Sequence, residues 1–133
     1  MKLLKTTILL VLFCSCKNTQ EQQNNLDIWE NIQKEVEIKN LNYLLKISND
    51  TLSCLGCNNG KDWTTKHGFF NNHIEQMRTV KNKKYTYYVE EINSVGDFKK
   101  RYRINYEFKK YNLIYTLLES ENEIRFQGVF SIP

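Results

Sequence analysis

The chain has 133 residues, with 19 lysines and arginines against 15 aspartates and glutamates and a formal net charge of +4. That length leaves room for one domain with one core. Eight tyrosines, seven phenylalanines and two tryptophans exclude a disordered chain and predict a packed, strand-rich body.

The first fifteen residues predict a removable export signal rather than part of the fold. Lys2 and Lys5 flank the start of a leader whose apolar run spans only residues 8–13, and a transmembrane helix needs about 20 apolar residues. Without those two lysines, 17 basic residues remain against 15 acidic ones. So small an excess gives no electrostatic support for a nucleic-acid partner.

The end of the leader, Phe13-Cys14-Ser15-Cys16, resembles the lipobox of bacterial lipoproteins. In that family a small residue precedes the cut, and the cysteine after the cut receives lipid and becomes the first residue of the mature chain. The resemblance implies lipidation of Cys16 and attachment to the cell membrane. Because Lys17 rather than aspartate follows the cysteine, the enteric members of the family imply transfer to the outer membrane. The alternative is a buried N-terminal helix with incidental cysteines.

The lipidated cysteine and a polar tether occupy residues 16–25, and a single domain occupies residues 26–133. No apolar side chain occurs between residues 17 and 25. Nine flexible residues span about 15–18 Å, so we expect the domain to lie close to the membrane.

Helical spacing predicts the first part of the domain. Trp29, Ile32 and Val36 recur on one side of a helix, and Asn40 has the side chain of an N-cap for a second piece. The predicted elements are two helical pieces within residues 26–48, a short strand at 51–55, a loop at 56–62 and a third helix at about 64–77.

Alternating apolar and polar residues predict strands in the second part. Residues 98–108 follow period two apart from Lys100, and residues 111–119 are apolar on both faces, as in a central strand. Residues 85–89 and 124–132 complete a set of four. Short turn-like gaps separate them, so the natural topology is an antiparallel meander.

Helices followed by antiparallel strands define an α+β fold, with one helix covering a four-stranded or larger sheet. This order of elements is similar to the nuclear-transport-factor-2-like fold, in which N-terminal helices close a cone over a curved sheet. The resemblance covers nearly the whole mature chain and rests on element order alone. A cystatin-like sheet wrapped on a helix is the alternative.

The local motif Cys54-Leu55-Gly56-Cys57 has three interpretations. An exported protein favours a structural disulfide between Cys54 and Cys57. A thioredoxin-type redox pair requires a thiolate at a helix N-terminus in a βαβ unit, whereas a glycine–asparagine loop follows here. Zinc is the third interpretation, with His67 and His73 completing a C-x2-C-x9-H-x5-H spacing. Histidines six residues apart point to different sides of one helix, so we predict no metal and no other cofactor.

The tyrosines suggest a pocket. Tyr102 and Tyr106 share one strand face with apolar neighbours, and in a cone-like fold that face lies beneath the helices with Trp63 and His73. These four residues form the candidate pocket for a small ligand. The alternative is that the tyrosines only pack the core.

A basic stripe lies on the opposite face of the same strand, at Lys99, Arg101 and Arg103. A solvated face is its simpler interpretation, because Glu107 continues the row. If the stripe instead meets anionic headgroups or an acidic partner, binding weakens with salt.

No nucleophile elbow, phosphate loop or paired metal carboxylates occur. We therefore predict a lipid-anchored envelope protein with a small non-enzymatic domain that binds a partner protein or a small ligand. One alternative is a small cone-fold enzyme that uses His73 or Asp62 in the pocket. A structural zinc module is the other.

Overall fold

The computed structural model describes residues 26–54 and 61–133, with the side chain of Ser94 excepted. The predicted export signal, Cys16, the tether and Cys57 lie outside these residues. No helix in the described part of the chain is long and apolar enough to cross a membrane.

Two helices open the domain, as the apolar spacing predicted. Helix α1 spans Asp27–Glu37 and helix α2 spans Leu41–Lys46. The Asn40 side chain accepts a hydrogen bond from the backbone N–H of Tyr43 at 3.3 Å, so the predicted N-cap is confirmed. Between the helices, Lys39 adopts a φ of 54°, which turns the chain sharply.

The third predicted helix is also present. Helix α3 spans Lys66–Thr79, and the side chain of Thr65 caps it by accepting from the backbone N–H of Gly68 at 3.1 Å. The segment before it, Trp63–Thr65, is a short strand that the sequence did not indicate.

All strands belong to one sheet. In chain order they are β1 Ser48–Cys54, β2 Trp63–Thr65, β3 Thr86–Val95, β4 Phe98–Glu107, β5 Asn112–Glu119 and β6 Ile124–Ile132. In space the order is β2-β1-β6-β5-β4-β3. Strands β3 to β6 pair antiparallel with their chain neighbours, which confirms the predicted meander.

The described residues form six strands, within the predicted four or more, but the prediction of a purely antiparallel sheet is wrong, because the sheet is mixed. Strand β1 runs parallel to β6, with Ser53 beside Gly128 and Cys54 beside Val129, and β2 pairs antiparallel with β1. A parallel partner is joined by a long crossover rather than a short turn, so no local sequence signal marks this pairing.

The helices and one face of the sheet enclose the core. The buried helical residues are Trp29, Ile32, Val36, Leu44, Phe69, Phe70, Ile74 and Met77. They pack on buried sheet residues that include Leu52, Ile104, Tyr106, Tyr115, Leu117 and Phe126. Helices α2 and α3 pack over β1, and α3 also packs over β2. Helix α1 instead packs on the other half of the sheet, where Trp29 contacts Tyr106 of β4 and Tyr115 of β5, and β3 forms the edge opposite β2.

Candidate functional site

A pocket of about 270 Å³ opens at one end of the sheet beside α3. Its walls combine apolar side chains with a few polar tips. The lining residues are His73 and Gln76 of α3, Tyr111 and Leu113 around the start of β5, and Val129, Phe130 and Ser131 of β6. Concave sites with this mixture suit small organic ligands, and the volume lies just below their usual range of about 300–1,000 Å³.

Strand register and helix position build the pocket. Leu113 lies opposite Ser131 in the β5–β6 ladder, and Val129 lies opposite Tyr115. Leu113 and Val129 are buried, so they form an apolar floor. His73 and Gln76 are three residues apart on α3 and therefore lie on the same side of the helix.

His73 is held by contacts at both ring nitrogens. Its Nε2 lies 3.1 Å from Sγ of Cys54, and its Nδ1 lies 3.3 Å from Oε1 of Gln76. The imidazole also lies against Phe69, with ring centroids 4.8 Å apart. An amide oxygen only accepts hydrogen bonds, so the contact with Gln76 calls for a proton on Nδ1. His73 thereby connects the end of β1 to the pocket.

The other three residues of the candidate pocket lie elsewhere. Tyr106 is 1% exposed, and its hydroxyl accepts a hydrogen bond from Nε1 of Trp29 at 2.8 Å. The Tyr102 hydroxyl donates a hydrogen bond to the Glu119 carboxylate. Trp63 lies on β2 and is 48% exposed, with the Lys61 amine 5.1 Å from its ring centroid. Of the four, only His73 lines the pocket.

Burial controls the titration of both tyrosines. It raises the pKa of Tyr106 to about 12, against the lowering effect of the hydrogen bond from Trp29. Burial, together with the Glu119 carboxylate, raises the pKa of Tyr102 to about 12. Both side chains therefore stay neutral at physiological pH, and we assign them to the core and its margin rather than to chemistry.

Six lining residues were not singled out as site residues from the sequence: Gln76, Tyr111, Leu113, Val129, Phe130 and Ser131. All of them except Gln76 lie within segments that were recognised only as strands. The pocket forms where the start of β5, the end of β6 and α3 meet, and these segments are far apart in the chain. No local spacing could have indicated that meeting point.

The predicted zinc ligands are only partly brought together. Cys54 and His73 are adjacent, but the His67 side chain is exposed, and Cys57 lies outside the described residues. Within residues 26–54 and 61–133, no group of three or more His, Cys, Asp or Glu side chains could hold a metal ion. Asp62, the other predicted acid–base candidate, is exposed and does not line the pocket.

The basic stripe is largely paired with a carboxylate of the neighbouring strand. Oε1 of Glu90 accepts from Nη1 of Arg101 at 3.1 Å and from Nε of Arg103 at 3.0 Å. Burial raises the pKa of Glu90, but the two guanidinium groups outweigh it and hold the pKa below its ordinary value. The Arg103 guanidinium also lies between the rings of Tyr88 and Phe130, 5.9 and 5.5 Å from their centroids. These contacts favour a structural role for both arginines.

Comparison with known proteins adds no family to this geometry. The chain matches no protein-family model, no curated protein and no solved structure. The pocket and the sequence of the leader are the features of this chain that point to a function.

Proposed function

We propose that this chain is a lipid-anchored envelope protein whose domain binds a small ligand in the pocket beside α3. The observation that carries the binding function is the pocket itself, with its apolar floor and polar tips. In this proposal the membrane is contacted through the lipid, and nucleic acid is not a partner. A partner protein is the alternative occupant of the domain.

The composition of the pocket supports binding rather than catalysis. Among the described lining residues there is no aspartate, glutamate, lysine or cysteine. His73 and Tyr111 are therefore the acid–base candidates on its wall, and no carboxylate accompanies them. The alternative of a small enzyme is still supported by one observation, which is that His73 faces this open site.

The lipid anchor is supported by the leader. The charged start, the short apolar run and Ser15 before Cys16 together favour export, cleavage and acylation at Cys16. We propose that the lipid attaches the protein to the cell membrane. Lys17, which follows Cys16 where a retention signal would have aspartate, favours the outer membrane. The described domain begins at Leu26, so a tether of this length keeps the pocket near the lipid surface.

We propose that a disulfide between Cys54 and Cys57 cross-links the chain at the end of β1. Cys54 is 1% exposed at the end of β1, and an exported chain favours its pairing with Cys57. In the chain-entropy model a loop this small gives only about 2 kcal/mol, so the bond mainly fixes the chain beside His73. The alternative is a structural zinc site that uses Cys54 and His73 as two of its ligands.

We also propose that the sheet curves into a cone below the helices, as the resemblance to the nuclear-transport-factor-2-like fold implies. The position of the pocket between α3 and the ends of β5 and β6 supports this shape. A cystatin-like wrap of the sheet around α3 is the alternative.

Intact mass spectrometry of the protein from its native cells tests the lipid anchor and the disulfide together. We expect a chain that lacks residues 1–15, carries acyl groups on Cys16 and is two hydrogens lighter than its fully reduced form. The Cys16→Ala variant should leave the membrane fraction, whereas Cys14→Ala should stay in it. An unmodified initiator methionine would contradict the anchor, and a bound zinc ion whose removal leaves two free thiols would favour the metal alternative.

A fragment screen by NMR tests the pocket. We expect small aromatic and polar fragments to shift the amide signals of Leu113, Val129 and Ser131. Ser131→Tyr places a ring in the pocket. We expect it to weaken the binding of the best fragment at least ten-fold, which corresponds to a loss of about 1.4 kcal/mol in the free energy of binding. Ile132→Tyr adds a ring at the next, 45% exposed position and is the matched control.

Equal weakening by both variants, or fragments that shift only distant amides, would remove the pocket as the binding site. If a bound fragment is chemically converted and His73→Asn abolishes the conversion, the enzyme alternative replaces simple binding.

A further inference from the structure

The two edges of the sheet differ greatly. One edge is β2, which has only three residues. The other is β3, which has ten residues, contains no proline, glycine or lysine, and pairs only with β4 among the described strands. Tyr88 and Val89 in its middle are 49% and 45% exposed. Proteins usually blunt an edge with short strands, charged side chains, proline or bulges, and β3 has a register shift between Glu91 and Val95. The regular part of this edge, Thr86–Glu91, is the part that could pair with another strand.

The charges around this edge have an antiparallel symmetry. Two lysines, Lys83 and Lys84, precede the strand, and two glutamates, Glu90 and Glu91, follow the same distance beyond Tyr87. Lys83 belongs to the turn after α3, where its N–H donates to the Val80 carbonyl at 2.9 Å. When two copies of β3 pair antiparallel about a two-fold axis at Tyr87, the Lys83 side chain therefore lies just beyond the ladder, beside Glu91 of the second copy. Lys84 then faces Glu90 in the same way. Opposite charges on facing positions stabilise a strand pair, and like charges destabilise it.

We propose that β3 pairs antiparallel with β3 of a second copy of this chain and forms a symmetric dimer with a continuous twelve-stranded sheet. The two-fold axis is perpendicular to the sheet, so facing residues lie on the same face in both copies. The same surface is used twice, as a two-fold interface requires. Helices α2 and α3 pack over β1 and β2, at the far side of the sheet, whereas α1 reaches the start of β3, where the Tyr85 hydroxyl accepts from the Leu26 N–H and donates to Glu30, both at 2.9 Å.

Glu91 and Lys83 are the pair that best reports this register. Glu91 is exposed and makes no ion pair with the described residues, whereas Glu90 already binds Arg101 and Arg103. The Lys83 amine lies 5.4 Å from the Phe108 ring centroid. Because the Lys83 side chain is exposed, it can leave this contact and turn towards a partner at a small cost in free energy. One edge pair buries less surface than the about 1,200 Å² of stable interfaces, so we expect dissociation in the micromolar range.

Sedimentation equilibrium of the full chain in density-matched non-ionic detergent tests the dimer. Glu91→Lys places Lys opposite Lys83 at both ends of the interface and should weaken dimerisation about ten-fold. The double variant Lys83→Glu/Glu91→Lys restores opposite charges and should restore the dimer. Glu121→Lys makes the same charge change at an exposed turn and should leave dimerisation unchanged.

Hydrogen exchange gives a second, independent measurement. Amides of β3 should become more protected as protein concentration rises, whereas those of β5 should not change. A monomer at all concentrations overturns the proposal, as does a dimer that Glu91→Lys leaves intact or that the double variant fails to restore. Protection of β3 that is independent of concentration also overturns it, because the edge is then covered within one chain.

Discussion

Trp29→Ala is expected to destabilise the domain by about 3–5 kcal/mol, the range for removing a buried tryptophan. Trp29 is 0% exposed and joins α1 to the sheet. Its ring centroid lies 4.9 Å from that of Tyr115, and its Nε1 donates to the Tyr106 hydroxyl at 2.8 Å. Truncation leaves a cavity between the two layers and an unpaired hydroxyl within it. Chemical denaturation followed by circular dichroism measures the loss.

A double-mutant cycle separates packing from the hydrogen bond. Trp29→Phe keeps an aromatic ring but leaves the buried Tyr106 hydroxyl unpaired, which costs about 1–3 kcal/mol. Tyr106→Phe leaves the indole N–H unpaired in the same way. We expect the double variant to lose less stability than the two single losses together, because no orphaned group remains. Strict additivity would show that the hydrogen bond contributes nothing.

Gly128→Ala is expected to be the most damaging glycine-to-alanine change among the glycines that the structure describes. Gly128 has a φ of +132°, a conformation that suits glycine alone. An added Cβ would lie 2.1 Å from the backbone oxygen of Ser53 and 2.6 Å from its nitrogen. Backbone strain and overpacking each cost about 1–3 kcal/mol, so we expect a loss of about 3–5 kcal/mol in the free energy of unfolding.

Gly96→Ala is the matched control for this change. Gly96 also has a positive φ, of 57°, but no atom lies within 4 Å of the added Cβ. Only the backbone preference is lost there, at a cost of about 1 kcal/mol. Hydrogen exchange should show the selective effect of Gly128→Ala, with β1 losing protection before β4 and β5. If Gly128→Ala and Gly96→Ala had the same free energy of unfolding, the close approach of Gly128 to Ser53 would not contribute to stability, and the prediction would be wrong.

The local elements of this fold could be predicted because their signals lie within a few residues. Apolar spacing indicated α1 through Trp29, Ile32 and Val36, and the Asn40 side chain indicated where α2 begins. Period-two alternation indicated β4, and short turns between the last four strands indicated their antiparallel order. Each of these signals acts between chain neighbours, so it can be read without knowing the rest of the structure.

The pocket illustrates what local signals leave open. His73 was singled out as a titratable residue on a helix, but Tyr102 and Tyr106 were placed beside it and lie elsewhere. Both tyrosines do lie on the face that alternation assigned to them. Their hydroxyls instead reach Glu119 and Trp29, which are distant in the chain. Alternation fixes the face of a side chain and not its neighbour across the core.

The amino-acid sequence by itself determined the helices, the four-strand meander and the face on which each strand residue lies, since period and turn chemistry are local properties. Only the tertiary structure decided that β1 joins the sheet parallel to β6, which requires the close approach of Gly128 to Ser53. The same long-range pairing brings Cys54 to His73 and positions the pocket. Contacts between residues so far apart in the chain depend on how whole elements pack, and no short spacing encodes that.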